Sequence, residues 1–109
     1  MNFNSKHILL LEGKKSINGL EVSHILGLMN WYEAKIACQK LGAEWRLPTI
    51  KELNMFFENK EEIGGFTNNY YWSSTEYVNY PAWSFFFYDG DAYNDVKSTT
   101  YYVRAVRYC

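Results

Sequence analysis

Hydrophobic and polar positions follow two different rhythms along this chain. Between residues 30 and 62 apolar side chains recur at helical spacing, and after Gly65 no helical period survives. Ala34, Ala37, Cys38 and Leu41 fall at i, i+3, i+4 and i+7 and make one apolar stripe. Asn30, with Glu33 three positions later, reads as a capping box in which Asn replaces Ser or Thr, and Gly42 stands where a helix can end. Thr49 and Glu52 repeat the box for a second helix with Leu53, Phe56 and Phe57 as its buried face. Residues 58–62 form a charge run that reads as a solvated helix end, and Gly64-Gly65 breaks the pattern.

Strand signals lie on both sides of this helical block. Residues 6–12 predict a first strand, 13–16 a polar turn, and 19–28 a loop with a short extended piece. Residues 70–74, 83–88 and 101–108 predict strands separated by turns at 79–81 and at Asp89-Gly90. The expected class is α+β with segregated helices in a single domain: strand and loop over 1–29, two helices over 30–62, a β-rich display region over 66–109.

Composition sharpens the contrast between the halves. Residues 31–62 draw 14 of 32 side chains from Glu, Lys, Gln, Met and Trp, whereas residues 77–102 contain only Trp83 and Lys97 from that set. The later segment mixes Tyr, Phe, Asn, Asp, Ser and Thr, which combine rigid amphipathic contact area with adaptable hydrogen bonding. From Tyr70 onward lie 14 of the 21 aromatics, more than a core of this size can absorb. The expected ligand-binding face is Tyr77, Asn79, Tyr80, Ser84, Phe86, Tyr88, Asp89, Asp91, Tyr93, Asn94 and Asp95. Strands that simply favour aromatics are the plainer explanation.

Other classes find little support. A net charge of −1 supplies no field for nucleic acid or anionic membrane, and the longest apolar run (8–11) is too short to span a bilayer. Residues 1–6 are polar and no hydrophobic signal core follows. The compartment therefore stays open, with a cell or phage surface favoured. Cys38 and Cys109 match no zinc or redox spacing, and His7 and His24 add no ligand cluster, so no metal or cofactor is expected. Glu76 with Asp89 or Asp91 is the one candidate carboxylate pair for catalysis, against the usual solvated surface acids. Arg46, Arg104 and Arg107 read as structural forks, with an anion site as the sharper alternative.

Several motifs then converge. Trp31-Tyr32-x-Ala34-x-x-x-Cys38-x-x-Leu41-Gly42, Trp45-Arg46-Leu47-Pro48-Thr49-x-x-Glu52-Leu53, Tyr71-Trp72-Ser73-Ser74-x-Glu76, Ala82-Trp83 and Val103-Arg104-x-Val106-Arg107 stand in that order. Over residues 31–109 this resembles the Lcl C-terminal-like domains, within the wider C-type lectin-like fold. The resemblance implies two helices on small antiparallel sheets with a long ligand-presenting loop region. Residues 83–101 are also similar to the mutable region of variable proteins from diversity-generating retroelements, where adenines of Asn codons are rewritten. Such positions can hold Asn, Tyr, Asp, Ser, Thr, Phe, Val or Ala, but not Lys, Glu, Gln, Met or Trp, which leaves Trp83 and Lys97 as scaffold. The resemblance to sugar-binding lectins offers Tyr93-Asn94-Asp95 as an echo of a calcium tripeptide, but the upstream acid-amide partner is missing around Pro81. Formylglycine-generating oxidases, distant relatives of the fold, use a cysteine pair that Cys109 lacks, so no enzymatic activity is expected. The fold's usual helix-to-terminus bridge makes Cys38–Cys109 the disulfide candidate. The implied role is a non-enzymatic binding domain for a protein or glycan ligand. The alternative is an assembly or adhesion domain whose aromatics bury a subunit interface.

Overall fold

The computed structural model describes residues 15–76 and 81–109. Strands β1 (Lys15–Ile17) and β2 (Leu20–Met29) lead into helix α1 (Trp31–Gln39). Helix α2 (Ile50–Glu58) and the short α3 (Lys60–Ile63) follow, then β3 (Tyr70–Glu76), β4 (Ala82–Phe86), β5 (Asp91–Asp95) and β6 (Tyr101–Tyr108). The strand expected at 6–12 and the turn at 79–81 lie wholly or mostly outside the described residues.

Both capping boxes form as the sequence predicts. The Asn30 side chain accepts from the Glu33 amide while the Glu33 carboxylate accepts from the Asn30 amide, and Thr49 with Glu52 does the same for α2. Of the α1 stripe, Ala34 and Cys38 are buried, whereas Leu41 lies past the helix end and is exposed. Trp31 takes its place as the anchor, buried at the first turn with its indole N–H donating to the Ser73 carbonyl at 2.9 Å.

The sheet is a single mixed one, ordered β1-β2-β6-β3-β4-β5. The small antiparallel sheets expected are joined by a parallel contact between β3 and β6, where Tyr71 stands opposite Tyr102. Residues 15–16 are strand rather than turn, and the reversal sits at Asn18-Gly19, whose φ values of 50° and 79° suit a two-residue hairpin loop between Ile17 and Leu20. The loop expected over 19–28 is a ten-residue strand paired with β6, and two register shifts blur its alternation.

Strand alternation sends successive side chains to opposite faces, and each face meets a helix. On one side α2 lays Leu53 and Phe56 against Tyr71, Phe85, Phe87 and Val106. On the other α1 lays Trp31, Ala34 and Cys38 against Trp72, Ala82, Val103 and Ala105. Among the described residues α1 covers the β6 side of this second face, and the aromatic row lies farther along it.

Candidate ligand-binding face

Counting along the strands from the α1 side places Tyr101 on β6, Tyr70 on β3, Phe86 on β4 and Tyr93 on β5 on one surface. Tyr70 stacks on Phe86 with centroids 4.1 Å apart and planes 6° from parallel, and on Tyr101 at 4.9 Å and 17°. Tyr93 meets Tyr70 edge-on at 5.7 Å, and Tyr88, 71% exposed, leans on Phe86 at 5.8 Å. The row is anchored inward by Trp72, whose ring lies 4.8 Å from Tyr101 and whose indole N–H donates to the Met29 carbonyl. The result is a continuous aromatic surface built on four strands, each ring held by its neighbours.

Carboxylates edge this surface. The Tyr93 hydroxyl donates to Asp89, and the Tyr101 hydroxyl donates to Asp95 at 2.6 Å. Asp89 also accepts from the Asp91 amide and Asp95 from the Val96 amide. The Asp89 hydrogen bond and the acid charges beside it push the Tyr93 phenol up to about 12. Burial, with the Asp95 bond, pushes Tyr101 higher still, and the Tyr101 hydroxyl holds Asp95 below the ordinary range. Both phenols therefore stay neutral donors, and Asp95 stays charged, throughout the physiological range.

Of the residues expected to form the face, Phe86, Tyr88, Asp89, Asp91, Tyr93 and Asp95 come together here. Tyr77, Asn79 and Tyr80 lie outside the described residues. Ser84 shares this side of β4 but is completely buried, donating to the Tyr93 carbonyl at 3.3 Å. Asn94 is exposed on the opposite side, paired with Trp83 across β4 and β5. Its flanking Ala92 packs on the α2 core, which fixes that orientation. Tyr70 and Tyr101 were not among the expected residues, yet they carry the β3 and β6 half of the row. Each opens a strand: Tyr70 begins β3, which pairs with β4 of the predicted face, and Tyr101 begins β6, one strand further on.

The remaining candidate chemistry is taken up elsewhere. Glu76 stands near Ala82, at the far end of β3 from Tyr70, and Asp91 stands opposite Phe86. About 20 Å of strand separates those ends, too far for a carboxylate pair. Glu76 instead holds Lys97 at 2.5 Å, and that bond keeps its carboxyl below the ordinary range. Asn94 and Asp95 point to opposite faces, so the tripeptide echo brings no paired ligands together. Among the described residues no three His, Cys, Asp or Glu side chains group as a metal site.

The three arginines are structural. Arg46 grips Glu52 with both guanidinium nitrogens at 2.8 and 2.9 Å, and Arg107 holds Glu21 at 2.7 Å. Arg104 is buried, donating to the carbonyls of Ser23 and Gly64 and stacking on Phe66, and burial lowers its pKa to about 10. A hollow of about 230 Å³ between α1 and the Trp45–Leu47 segment has Arg46 and Glu76 in its wall, both already paired.

Both cysteines are free, so the expected bridge is not formed. Cys38 is buried with Val103 and Ala105, and burial pushes its thiol up to about 12. Cys109 lies four residues beyond Ala105, about 13 Å along an extended strand, where it meets Ser16 and the Gly19 carbonyl. That distance exceeds disulfide reach.

The sequence pattern of the Lcl C-terminal domain matches residues 13–107. The chain belongs to the Lcl C-terminal domain family. The match takes in the β1–β2 hairpin, which the motif reading left outside. No curated protein matches this Lcl C-terminal domain by sequence. Among solved structures it is similar to botrocetin, at 13% identity with a TM-score of 0.69 over 88% of this chain and 96% of botrocetin. It is similar also to EMS16, an antagonist of the collagen receptor integrin alpha2beta1, at 16% identity and a TM-score of 0.62 over 88% of this chain and 96% of EMS16. A mutant of CEL-I aligns at 9% identity with a TM-score of 0.60 over 86% of this chain and 93% of that one. These likenesses establish the C-type lectin-like fold.

Proposed function

We propose that this Lcl C-terminal domain is a non-enzymatic binding domain that holds a protein or glycan ligand on its aromatic face. The observation that carries the reading is the row Tyr101–Tyr70–Phe86–Tyr93, a preorganised set of rings left open at a sheet end and edged by Asp89, Asp91 and Asp95. Rigid aromatic anchors with a polar rim are the composition expected of a recognition surface. Two structural neighbours support a protein ligand. Botrocetin has been solved in complex with the von Willebrand factor A1 domain, and rhodocetin in complex with the integrin alpha2-A domain.

The finer reading is that this face belongs to a variable protein of a diversity-generating retroelement, displayed on a bacterial or phage surface. Its support is the division of labour between residue types. The two residues in 77–102 that rewriting could not produce are both scaffold. Lys97 is buried, its ammonium 4.3 Å from the Trp31 ring centroid and bound to Glu76, and its carbonyl accepts from the Trp31 amide. Trp83 lies on the side of β4 away from the face, beside Ile50, Thr75 and Ala92. The test is the DNA around the coding sequence. A near-repeat of the segment for 83–101, differing only at adenines and lying beside a reverse transcriptase, is expected; a neighbourhood with neither would remove the diversification reading. Sedimentation in solution separates display from assembly, since an oligomer sealed by Tyr88 and Tyr93 would favour the assembly role.

A further inference from the structure

We infer that the surface recognised by this face is cationic: a Lys or Arg side chain on a protein partner, seated against the exposed rings of Tyr88 and Tyr93 among the rim carboxylates. This rests on the reading of the aromatic row as the binding face. Three observations point the same way. The first is the sign of the charge. Between Glu61 and Val103 the only basic residue is Lys97, while Glu76, Asp89, Asp91 and Asp95 all fall in that stretch. Lys97 is buried against Trp31 and paired with Glu76, so it neutralises none of the three aspartates on the face.

The second is the orientation of the polar groups. Hydroxyls of Tyr93 and Tyr101 are spent within the face on Asp89 and Asp95. What remains is carboxylate oxygen and the exposed rings of Tyr88 and Tyr93, both of which attract cations, with the Tyr70 and Tyr88 hydroxyls as the other polar groups. The third is Asp91. It stands directly across from Phe86 on the neighbouring strand, exposed, and its carboxylate accepts no hydrogen bond from the described residues. An arginine stacked on the exposed Tyr93 ring would meet the Asp91 carboxylate two residues away on the same side of β5, and the planar guanidinium suits stacking and a fork together. Charge complementarity of this kind sets partner choice and encounter rate, and so predicts salt-sensitive binding.

The test uses the whole domain and a random heptapeptide library immobilised on beads. Retained peptides are expected to be enriched in Lys and Arg over the starting library. A retained peptide should lose affinity by about tenfold or more against Asp91→Asn, and similarly when its arginine becomes citrulline, because each change removes one charge of the pair. Tyr108→Ala, on an exposed residue away from the face, should bind as the parent does. Peptides retained without basic enrichment, yet lost on Tyr93→Ala, would overturn the cationic inference and keep the binding face. Neutral oligosaccharides bound in place of peptides, and lost on Tyr93→Ala, would do the same. Basic peptides whose binding ignores both Asp91→Asn and Tyr93→Ala would sink the inference and the assignment of the face together. A library that yields nothing overturns the cationic anchor alone.

Discussion

Gly90 closes the hairpin between β4 and β5 with φ at 75°, and a Cβ there would stand 2.5 Å from the Phe57 ring. Backbone conformation and space both demand glycine, so Gly90→Ala should cost about 1–3 kcal/mol in urea unfolding. An unchanged midpoint would mean that α2 does not press on this turn. The cysteines give a second check at this scale. On the native protein a thiol reagent should label Cys109 quickly and Cys38 only on unfolding, because Cys38 is buried with a raised thiol pKa. Fewer than two thiols in unreduced, denatured protein would restore the bridge. Single residues were also where sequence reading failed most often. Composition marked Ser84 and Asn94 as display residues, but composition carries no facing. Ser84 is at the floor and Asn94 on the reverse because side chains alternate along strands whose pairing was unknown.

The helices were the most legible elements, and their caps explain the motif around them. Glu52 closes the Thr49 box and also receives the Arg46 fork, so the Trp45–Leu53 motif joins a strand-like bridge to a helix start through one carboxylate. Burial alone would push that carboxyl up, but the Arg46 and Thr49 hydrogen bonds outweigh it and hold it below 4.5. A lowered carboxylate contributes stability that is present above its ordinary pKa and lost as pH falls through the lowered value. Glu52→Gln should therefore cost about 1–3 kcal/mol at neutral pH, and should lose less than the parent between about pH 5 and 3. Parallel stability profiles over that range would contradict the assignment. Strand β2 was illegible for a physical reason. Its bulges shift the register twice, which destroys the period-2 signal, while the Asn18-Gly19 reversal that precedes it fell between a turn expected at 13–16 and a loop expected from residue 19. Strand β5 was missed because four of its five residues, all but Ala92, are residues that turns and display loops also favour.

At the scale of the molecule, two helices pack on opposite faces of one sheet, and the aromatic row lies on the α1 side beyond the part that α1 covers among the described residues. The fold class was legible because helical and strand-like patterns are segregated along the chain. The joining of the sheet through a parallel β3–β6 contact was not, since strand order depends on long-range pairing that no local pattern records. The account rests on a separation between floor and display: Trp72 has no solvent exposure and carries the row, whereas Tyr88, Asp91 and Tyr93 are exposed. The direct measurement is the unfolding free energy of the triple variant Tyr88→Ala, Asp91→Ala, Tyr93→Ala beside Trp72→Ala. Exposed positions each change stability by under about 0.5 kcal/mol, so the triple variant should lose no more than about 1.5 kcal/mol. Truncating the buried tryptophan should cost about 3–5 kcal/mol. A triple variant that unfolds as readily as Trp72→Ala would show these side chains to be core, and would contradict the reading of this face as a display surface.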